Sequence, residues 1–397
     1  MSDKQFQGEL RLFLEELCCE LCRLRHVRDD GINPEEVRIA REVQLVSPGA
    51  FGDIVVTVPC APAYFVEIKF GMSIEETVRS VRRKYAVNHR AACGRLIVVT
   101  RDLDAQTLKS QLRDCVCTSL DIEIWDEARL LADIKRYYGV ETASLGEANI
   151  IDLHRQILVR TWNEVFDRDY YETLASALLW HFSPWTLRRL RGVIEGAGPG
   201  DVWRIGTYPD IAVVMADISS FSAYVRDTKD DRVTQQVLTA FYSQTRHAVH
   251  EYGGMFYQFV GDEVVGLFGF PDGKPGYAAD ALDCAKALLD IGASTSEHWQ
   301  RQMDNVHEKG GVHIGIAMGS LNLMPLRPFA RSHIGFIGDP LNIAARLVDN
   351  AQPSEIVVSN AFYYALGEDL QAEFSESHRI EAKNVGNLQS WRRPSAL

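Results

Sequence analysis

The chain has 397 residues, of which 46% are hydrophobic, and this length and composition fit two or three globular domains. A net charge of −12 at pH 7 argues against broad nucleic-acid binding, so nucleic acid is not an expected partner. The polar N-terminus has no signal-peptide pattern and no run of 18 apolar residues occurs, so we expect no membrane span and a cytoplasmic location.

Residues 1–140 predict an α/β domain. The hydrophobic patterns predict helices at 1–28, 74–89, 104–114 and 127–138, and strands at 42–46, 51–59, 63–70, 95–100 and 122–125. Strands that alternate with helices in this way are typical of a sheet covered by helices.

The eight cysteines fit a reducing compartment. The spacing Cys19-x-x-Cys22, with Cys115-x-Cys117 further along the chain, would also suit a zinc site. However, Cys18, Cys19 and Cys22 fall within the apolar pattern of the first helix, and this placement favours buried free thiols.

Three charged residues stand on neighbouring strands of this first domain. Asp53 lies on one strand, and Glu67 and Lys69 lie on the next, where alternate residues share a face. Two carboxylates and a lysine so placed could bind a metal and stabilise a developing anion. The segment resembles the restriction-endonuclease-like fold, which places an Asp on one strand and Glu-x-Lys on the next, and this implies a nuclease-like site. The alternative is a sensor or assembly domain with Glu67 and Lys69 on a solvated face.

Residues 141–200 predict a helical connector that is rich in Leu, Trp and Arg. Its arginine cluster could bind an acidic partner, or could simply lie near a helix C-terminus. The Gly/Pro stretch 196–200 marks a domain boundary.

Residues 205–397 predict a second domain of the α+β class, a mixed sheet covered by helices. The strands are predicted at 211–217, 254–269 (a pair), 312–318, 333–337, 355–358, 374–380 and 388–392, and the helices at 219–252, 276–300, 340–350 and 359–366.

Two strand ends in this domain carry carboxylates, Asp217 and Asp262, and two such groups can together bind hard cations through oxygen. Further along, Asn342 and Arg346 are four residues apart, so they share one face of the predicted helix 340–350.

Four segments of the second domain resemble the catalytic domain of class III nucleotidyl cyclases, and they occur in the order typical of that family. They are MADISSFS (215–222), FVGDEVVGLFG (259–269), HIGIAMG (313–319) and IGDPLNIAARLVDNAQPSEIVVS (337–359). The resemblance implies a nucleoside triphosphate substrate and two divalent cations, Mn²⁺ or Mg²⁺. It assigns the metal sites to Asp217, Asp262 and the backbone carbonyl of Ile218.

The same resemblance assigns Asn342 to orienting the ribose and Arg346 to stabilising charge on the α-phosphate. Lys383 matches a triphosphate-binding lysine, with a solvated lysine as the alternative. Since the family's sites form between two catalytic domains and this chain carries one domain with both residue sets, the resemblance implies a head-to-tail homodimer.

The base-reading positions depart from the purine cyclases. Four residues before Asp262, adenylate cyclases commonly carry Lys and guanylate cyclases Glu, whereas this chain has Gln258 beside Tyr257. Seven residues before Asn342 it has Gly335, where Asp, Thr or Cys is common. An amide suits a pyrimidine edge, and Tyr257 could reduce the pocket volume. The alternative places Tyr257 in the core and leaves Gln258 merely exposed.

This combination resembles the pyrimidine cyclases of bacterial Pycsar anti-phage systems. The resemblance implies conversion of UTP, favoured over CTP, to cyclic UMP, an antiviral second messenger that activates a separate effector. A cytidylate cyclase, an adenylate cyclase, and a nuclease whose cyclase domain only binds nucleotide are the alternatives.

Overall fold

The computed structural model describes residues 3–45, 49–85, 93–101, 103–116, 120–166, 172–193, 199–202, 204–303, 310–327, 330–376, 380–382 and 386–394. The chain divides into two compact units, Met1–Glu164 and Val165–Leu397. Across the described ranges, no helix is both long enough and apolar enough to cross a membrane.

The first unit contains a five-stranded sheet flanked by helices. In chain order its elements are α1 (Asp3–Arg28), β1 (Arg38–Gln44), β2 (Phe51–Thr57), β3 (Ala63–Ile68), α2 (Ile74–Tyr85), β4 (Cys93–Val99), α3 (Ala105–Arg113), β5 (Asp121–Trp125), α4 (Glu127–Tyr138) and α5 (Glu147–Phe166), which crosses into the second unit. The strands are ordered β1-β2-β3-β4-β5; the first three are antiparallel and the last three parallel.

The predicted order of helices and strands is observed in this unit, several strand boundaries differ by one or two residues, and the start of β1 differs by more. The strand predicted at 42–46 begins four residues earlier, as β1. Its charged residues concealed the strand pattern, because Arg41 is buried and makes an ion pair with Glu15 of α1. Helix α4 ends as its sequence predicts, at Gly139 in the left-handed conformation (φ 65°).

The second unit is larger. Its elements are α6 (Glu172–His181), α7 (Pro184–Val193), β6 (Gly206–Ile218), α8 (Phe221–Asp227), α9 (Asp231–Glu251), β7 (Met255–Val260), β8 (Glu263–Phe268), α10 (Tyr277–Gln300), β9 (Val312–Arg327), β10 (Ala330–Ile337), α11 (Asp339–Asn350), β11 (Ile356–Ser359), α12 (Asn360–Ala365), α13 (Glu368–Gln371), β12 (Ser375–Glu376), β13 (Ile380–Ala382), β14 (Gly386–Leu388) and β15 (Ser390–Arg393). Helices α6 and α7, from the predicted connector, belong to this compact unit.

Its main sheet is mixed, as predicted, with the order β12-β15-β11-β9-β6-β8-β7, and β10 pairs with β9. β6 lies between two antiparallel neighbours, and β11 runs parallel to β9. Apolar residues of α9 and α10 pack against the central strands in one buried core. β7 is left at the edge of the described sheet, where its outer side has no strand partner.

Candidate active site

The β6 and β8 strands bring Asp217 and Asp262 together. The strands are antiparallel, with Ala216 opposite Val264, so the C-terminal end of β6 and the N-terminal end of β8 lie side by side. Gly261 adopts a positive φ of 66° in the tight turn before Asp262. The two carboxyl groups lie within hydrogen-bonding contact of each other.

Burial raises the pKa of both aspartates. The pKa of Asp262 rises to about 7, first because the group is desolvated and then because of the hydrogen bond and charge of Asp217. When no cation is bound, the pair therefore shares a proton below about pH 7 and loses it as the pH rises further. A divalent cation would replace that proton, so this donor set fits the Mg²⁺ or Mn²⁺ that class III cyclases use.

The side chains near this pair would supply only part of a metal coordination sphere. Among the described residues, no group of three or more His, Cys, Asp or Glu side chains is arranged to hold a metal ion. Ile218 is buried at the end of β6, directly after Asp217, where its backbone carbonyl is a candidate further ligand. The remaining ligands would then be phosphate oxygens and water, as magnesium commonly requires.

Three further residues surround the aspartate pair, and the sequence analysis gave none of them a role. His313 lies opposite Asp217 on β9, with its Nε2 4.0 Å from the Asp217 Oδ2. Burial raises the pKa of Glu263, and the charges of Asp262 and Asp349 raise it further. His313 and Asp349 fall within the cyclase-like segments and Glu263 follows Asp262 directly, but only the fold shows that they converge.

Asn342 and Arg346 lie on α11, and both are exposed. The Arg346 Nη1 donates a hydrogen bond to the Asp349 Oδ2 at 2.9 Å, an ion pair of the kind expected on a solvated helix face. An exposed guanidinium with one carboxylate partner retains donors for a phosphate.

Tyr257 lies at a β-bulge in the edge strand. The register of β7 against β8 shifts between Phe256 and Gln258, so Tyr257 is the extra residue. Its hydroxyl accepts a hydrogen bond from the backbone N–H of Phe336 at 3.1 Å, and its ring packs edge-on against the Phe336 ring, with centroids 5.3 Å apart. Tyr257 is half-buried and Gln258 is exposed.

The fold thus joins the two segments that carry the predicted base-reading positions, because Phe336 directly follows Gly335. Gly335 is buried and pairs with Met324 of β9. A Cβ at this position would lie 2.6 Å from the Leu326 Cδ2, so a larger residue would require the exposed Leu326 side chain to move. Lys383, the predicted triphosphate ligand, lies outside the described residues.

Asp53, Glu67 and Lys69 of the first unit also lie together, but they are buried. The solvated face in the alternative interpretation is wrong for Glu67 and Lys69, which are 0% and 4% exposed. The Lys69 Nζ lies 3.0 Å from the Asp53 Oδ2 and 2.5 Å from the Glu67 Oε2.

Lys84 of α2 completes this buried cluster, and the sequence gave no sign of it. Its Nζ lies 2.8 Å from the Asp53 Oδ1 and 2.7 Å from the Glu67 Oε2, where it bridges the two carboxylates. The Tyr85 hydroxyl donates to the Glu67 Oε1 at 2.6 Å. Burial raises the pKa of Asp53, but the positive charges of Lys69 and Lys84 outweigh this effect and hold the pKa well below its usual value. Two ammonium groups thus lie between the two carboxylates, and the Arg11 Nη2 is a third cationic group, 3.8 Å from the Asp53 Oδ1.

Comparison with known proteins shows what most of the second unit is similar to. Residues 204–392 match the family model of the adenylate and guanylate cyclase catalytic domain. The adenylyl cyclase CyaB from P. aeruginosa is similar in structure, with a TM-score of 0.42 and 20% identity over 49% of this chain and 98% of that one. The guanylate cyclase domain of RhGC from Catenaria anguillulae has a TM-score of 0.39 and 19% identity over 48% of this chain and 98% of that domain. No curated protein matches the chain.

Proposed function

We propose that residues 204–392, a class III cyclase catalytic domain, convert a pyrimidine nucleoside triphosphate, UTP in preference to CTP, into its 3′,5′-cyclic monophosphate and pyrophosphate. The observation that carries the choice of a pyrimidine is the contact between Tyr257 and the backbone of Phe336. It holds an aromatic ring beside Gly335 and so reduces the space for a base. The exposed amide of Gln258 offers both a donor and an acceptor to a pyrimidine edge.

The reaction is an intramolecular displacement at the α-phosphorus. The ribose 3′-oxygen forms a new bond to this phosphorus and loses its proton, while the bond to the bridging oxygen breaks and pyrophosphate leaves. Divalent cations held by Asp217, Asp262 and the Ile218 carbonyl would lower the pKa of the attacking hydroxyl and neutralise the triphosphate.

The residues of α11 act on the reacting atoms. The Arg346 guanidinium is permanently charged and planar, so it can donate two hydrogen bonds to the α-phosphoryl oxygens as charge develops on them. Its partner Asp349 is exposed and accepts one hydrogen bond from it, and a phosphate oxygen can take the place of that carboxylate oxygen. Asn342, one turn earlier, orients the ribose, and Lys383 contributes to triphosphate binding.

The active form is a head-to-tail homodimer with two equivalent sites. Cyclase catalytic domains usually dimerise. Here Asn342 and Arg346 are exposed on α11, so they are accessible to a second chain. In this arrangement one chain supplies the carboxylate pair and its partner supplies the amide and guanidinium.

The cyclic nucleotide is a second messenger of anti-phage defence, which binds to and activates a separate effector. The support for this role is the resemblance of Tyr257, Gln258 and Gly335 to the pyrimidine cyclases of such systems. Phage plating on cells that carry the chain and its effector tests the role, because Asp262→Asn should abolish protection if the cyclic nucleotide carries the signal.

The enzymatic proposal is tested by product analysis. Purified protein with Mn²⁺ receives UTP, CTP, ATP or GTP separately, and the products are identified by mass, with Asp262→Asn as the control. A cyclic pyrimidine nucleotide that the variant does not make supports the proposal. Cyclic AMP or cyclic GMP as the sole product contradicts the base assignment, and no cyclic product from any nucleotide contradicts cyclase activity of the isolated chain.

A further inference from the structure

The β7 strand carries the residues proposed to recognise the base, yet it is the edge strand of the described sheet. An edge strand presents unpaired backbone groups on its outer side, and the bulge at Tyr257 disrupts the ladder on its inner side. The orientation of Tyr257 and Gln258 therefore depends on the groups that hold the bulge from outside the sheet.

His181, the last residue of α6, holds the backbone immediately before the bulge. Its Nδ1–H donates a hydrogen bond to the carbonyl oxygen of Phe256 at 2.6 Å. Burial lowers the pKa of the His181 ring, so the ring is neutral at neutral pH, and the acceptor places its proton on Nδ1. The carbonyl oxygen of Phe256 thereby has a hydrogen-bond donor directly beside the bulge.

Neighbouring contacts fix the position of His181. Trp180 packs edge-on against Phe256, with ring centroids 5.5 Å apart, and the Arg246 guanidinium lies 5.1 Å from the Trp180 ring centroid. The buried ring of His250, on α9, hydrogen-bonds to the main chain of His181. The main chain of His181 is thus fixed by α9, and its side chain in turn fixes the backbone of β7.

We propose that His181 is a positioning residue that sets nucleotide selectivity by fixing the bulge at Tyr257. Side chains alternate along a strand, so a bulge displaced by one residue would exchange the faces of Tyr257 and Gln258. The bulge is held at two points: the Phe256 carbonyl by His181, and the Tyr257 hydroxyl by the N–H of Phe336. This inference rests on the proposed role of Tyr257 and Gln258 in base recognition, and His181 itself touches no substrate.

Binding of nucleotides that cannot cyclise tests the inference. The dissociation constants of 3′-deoxy-UTP, 3′-deoxy-CTP, 3′-deoxy-ATP and 3′-deoxy-GTP are measured by calorimetry with Mn²⁺ for the wild type, His181→Leu and His181→Asn. An Asn amide can place a donor near the position of Nδ1, whereas Leu cannot. Arg189→Leu is the control, because it removes the ion pair of α7 with Asp272 and leaves the contact to β7 intact.

We expect His181→Leu to reduce the ratio between the tightest and the weakest binder by about tenfold, the worth of one hydrogen bond to a buried carbonyl. His181→Asn and Arg189→Leu should keep the ratio within about twofold of the wild type. Amide exchange measured by mass spectrometry should also accelerate over residues 255–260 in His181→Leu alone, and this readout needs no ligand.

Three results would overturn the inference. The first is an unchanged affinity ratio in His181→Leu, whether or not amide exchange accelerates. The second is a loss of selectivity in His181→Asn as large as that in His181→Leu. The third is an equal loss in Arg189→Leu, which would indicate general loosening of the helices. Because 3′-deoxynucleotides bind without cyclising, a chain that makes no cyclic pyrimidine nucleotide would contradict the proposed function and leave this measurement intact.

Discussion

The Tyr257 hydroxyl accepts a hydrogen bond from the backbone N–H of Phe336 at 3.1 Å, and this contact joins two segments that are 79 residues apart in the chain. If the tyrosine ring limits the base pocket, Tyr257→Ala should increase kcat/KM for ATP and GTP relative to UTP by about tenfold, since discrimination by pocket size is worth about 1–3 kcal/mol. Tyr257→Phe keeps the ring and should change the ratio little.

Steady-state kinetics with the separate nucleotides measures this effect. An unchanged ratio in Tyr257→Ala would show that the ring does not limit the base. Thermal unfolding of both variants serves as the control for folding.

The raised pKa of Asp262 predicts that cation binding releases a proton. At about pH 6 the carboxyl pair holds one proton that Mn²⁺ must displace, whereas above about pH 8 it holds none. Calorimetry in two buffers with different ionisation heats should therefore show release of close to one proton at about pH 6, falling to half near pH 7. Equal proton release at both ends of this range would contradict the assignment.

The raised pKa of Asp262 also makes the stability of the metal-free protein depend on pH. The folded pKa of Asp262 lies at about 7, above its usual value of 3.8, so the folded protein binds a proton that the unfolded chain has released. The contribution of this group to stability is therefore present below about pH 4 and is lost as the pH rises to about 7. Urea midpoints measured across this range should fall with increasing pH, and Asp262→Asn should remove that part of the slope.

A site shared between two chains predicts complementation. Asp262→Asn and Arg346→Ala should each be inactive alone. In an equimolar mixture that exchanges subunits, half of the dimers are mixed and each carries one intact site, so activity should recover to about a quarter of the wild-type value.

The matched control mixes Asp262→Asn with Asp217→Asn. Both changes affect the carboxylate set, so every site in a mixed dimer keeps one defect and no activity should return. Failure of the first mixture to recover, despite demonstrated subunit exchange, would place both residue sets on a single chain.

The buried cluster of the first unit predicts a large effect for Lys84. Lys84→Met leaves Asp53 and Glu67 with Lys69 as their remaining bridging ammonium group, and removal of one member of a buried ion network costs about 3–5 kcal/mol. Amide exchange over β2 and β3 should accelerate accordingly. Arg83→Met, at the exposed neighbouring position, should have an effect of less than about 0.5 kcal/mol.

The double variant Lys84→Met with Glu67→Gln tests the cause. Removing one carboxylate together with one ammonium restores the charge balance, so much of the loss should be recovered. If the double variant is as unstable as the two changes added together, packing rather than charge explains the effect of Lys84.

The strand ends that carry Asp217 and Asp262 were predictable, because Asp217 follows a continuous apolar run and because Asp262 lies in the Gly-Asp turn that closes a strand pair. The shared helix face of Asn342 and Arg346 follows from their spacing alone. These features depend only on the order and spacing of residues that are close in the sequence, so one sequence is enough to predict them.

Other features depend on distant partners. Lys84 lies in a charged helical pattern that predicts a solvated side chain, and only the approach of Asp53 and Glu67 buries it. The charged pattern of β1 likewise conceals a strand, because Arg41 is buried against Glu15. The bulge at Tyr257 has no sequence signature, since the residues that hold it come from α6 and β10.

The most direct test of the account is a competition experiment. The protein receives UTP, CTP, ATP and GTP together at equal concentrations with Mn²⁺, and the initial ratio of cyclic products gives the ratio of kcat/KM values directly. We predict that cyclic UMP exceeds each cyclic purine nucleotide by at least about tenfold and that Asp262→Asn makes none of them. A mixture dominated by cyclic AMP or cyclic GMP would contradict the role assigned to Tyr257, Gln258 and Gly335.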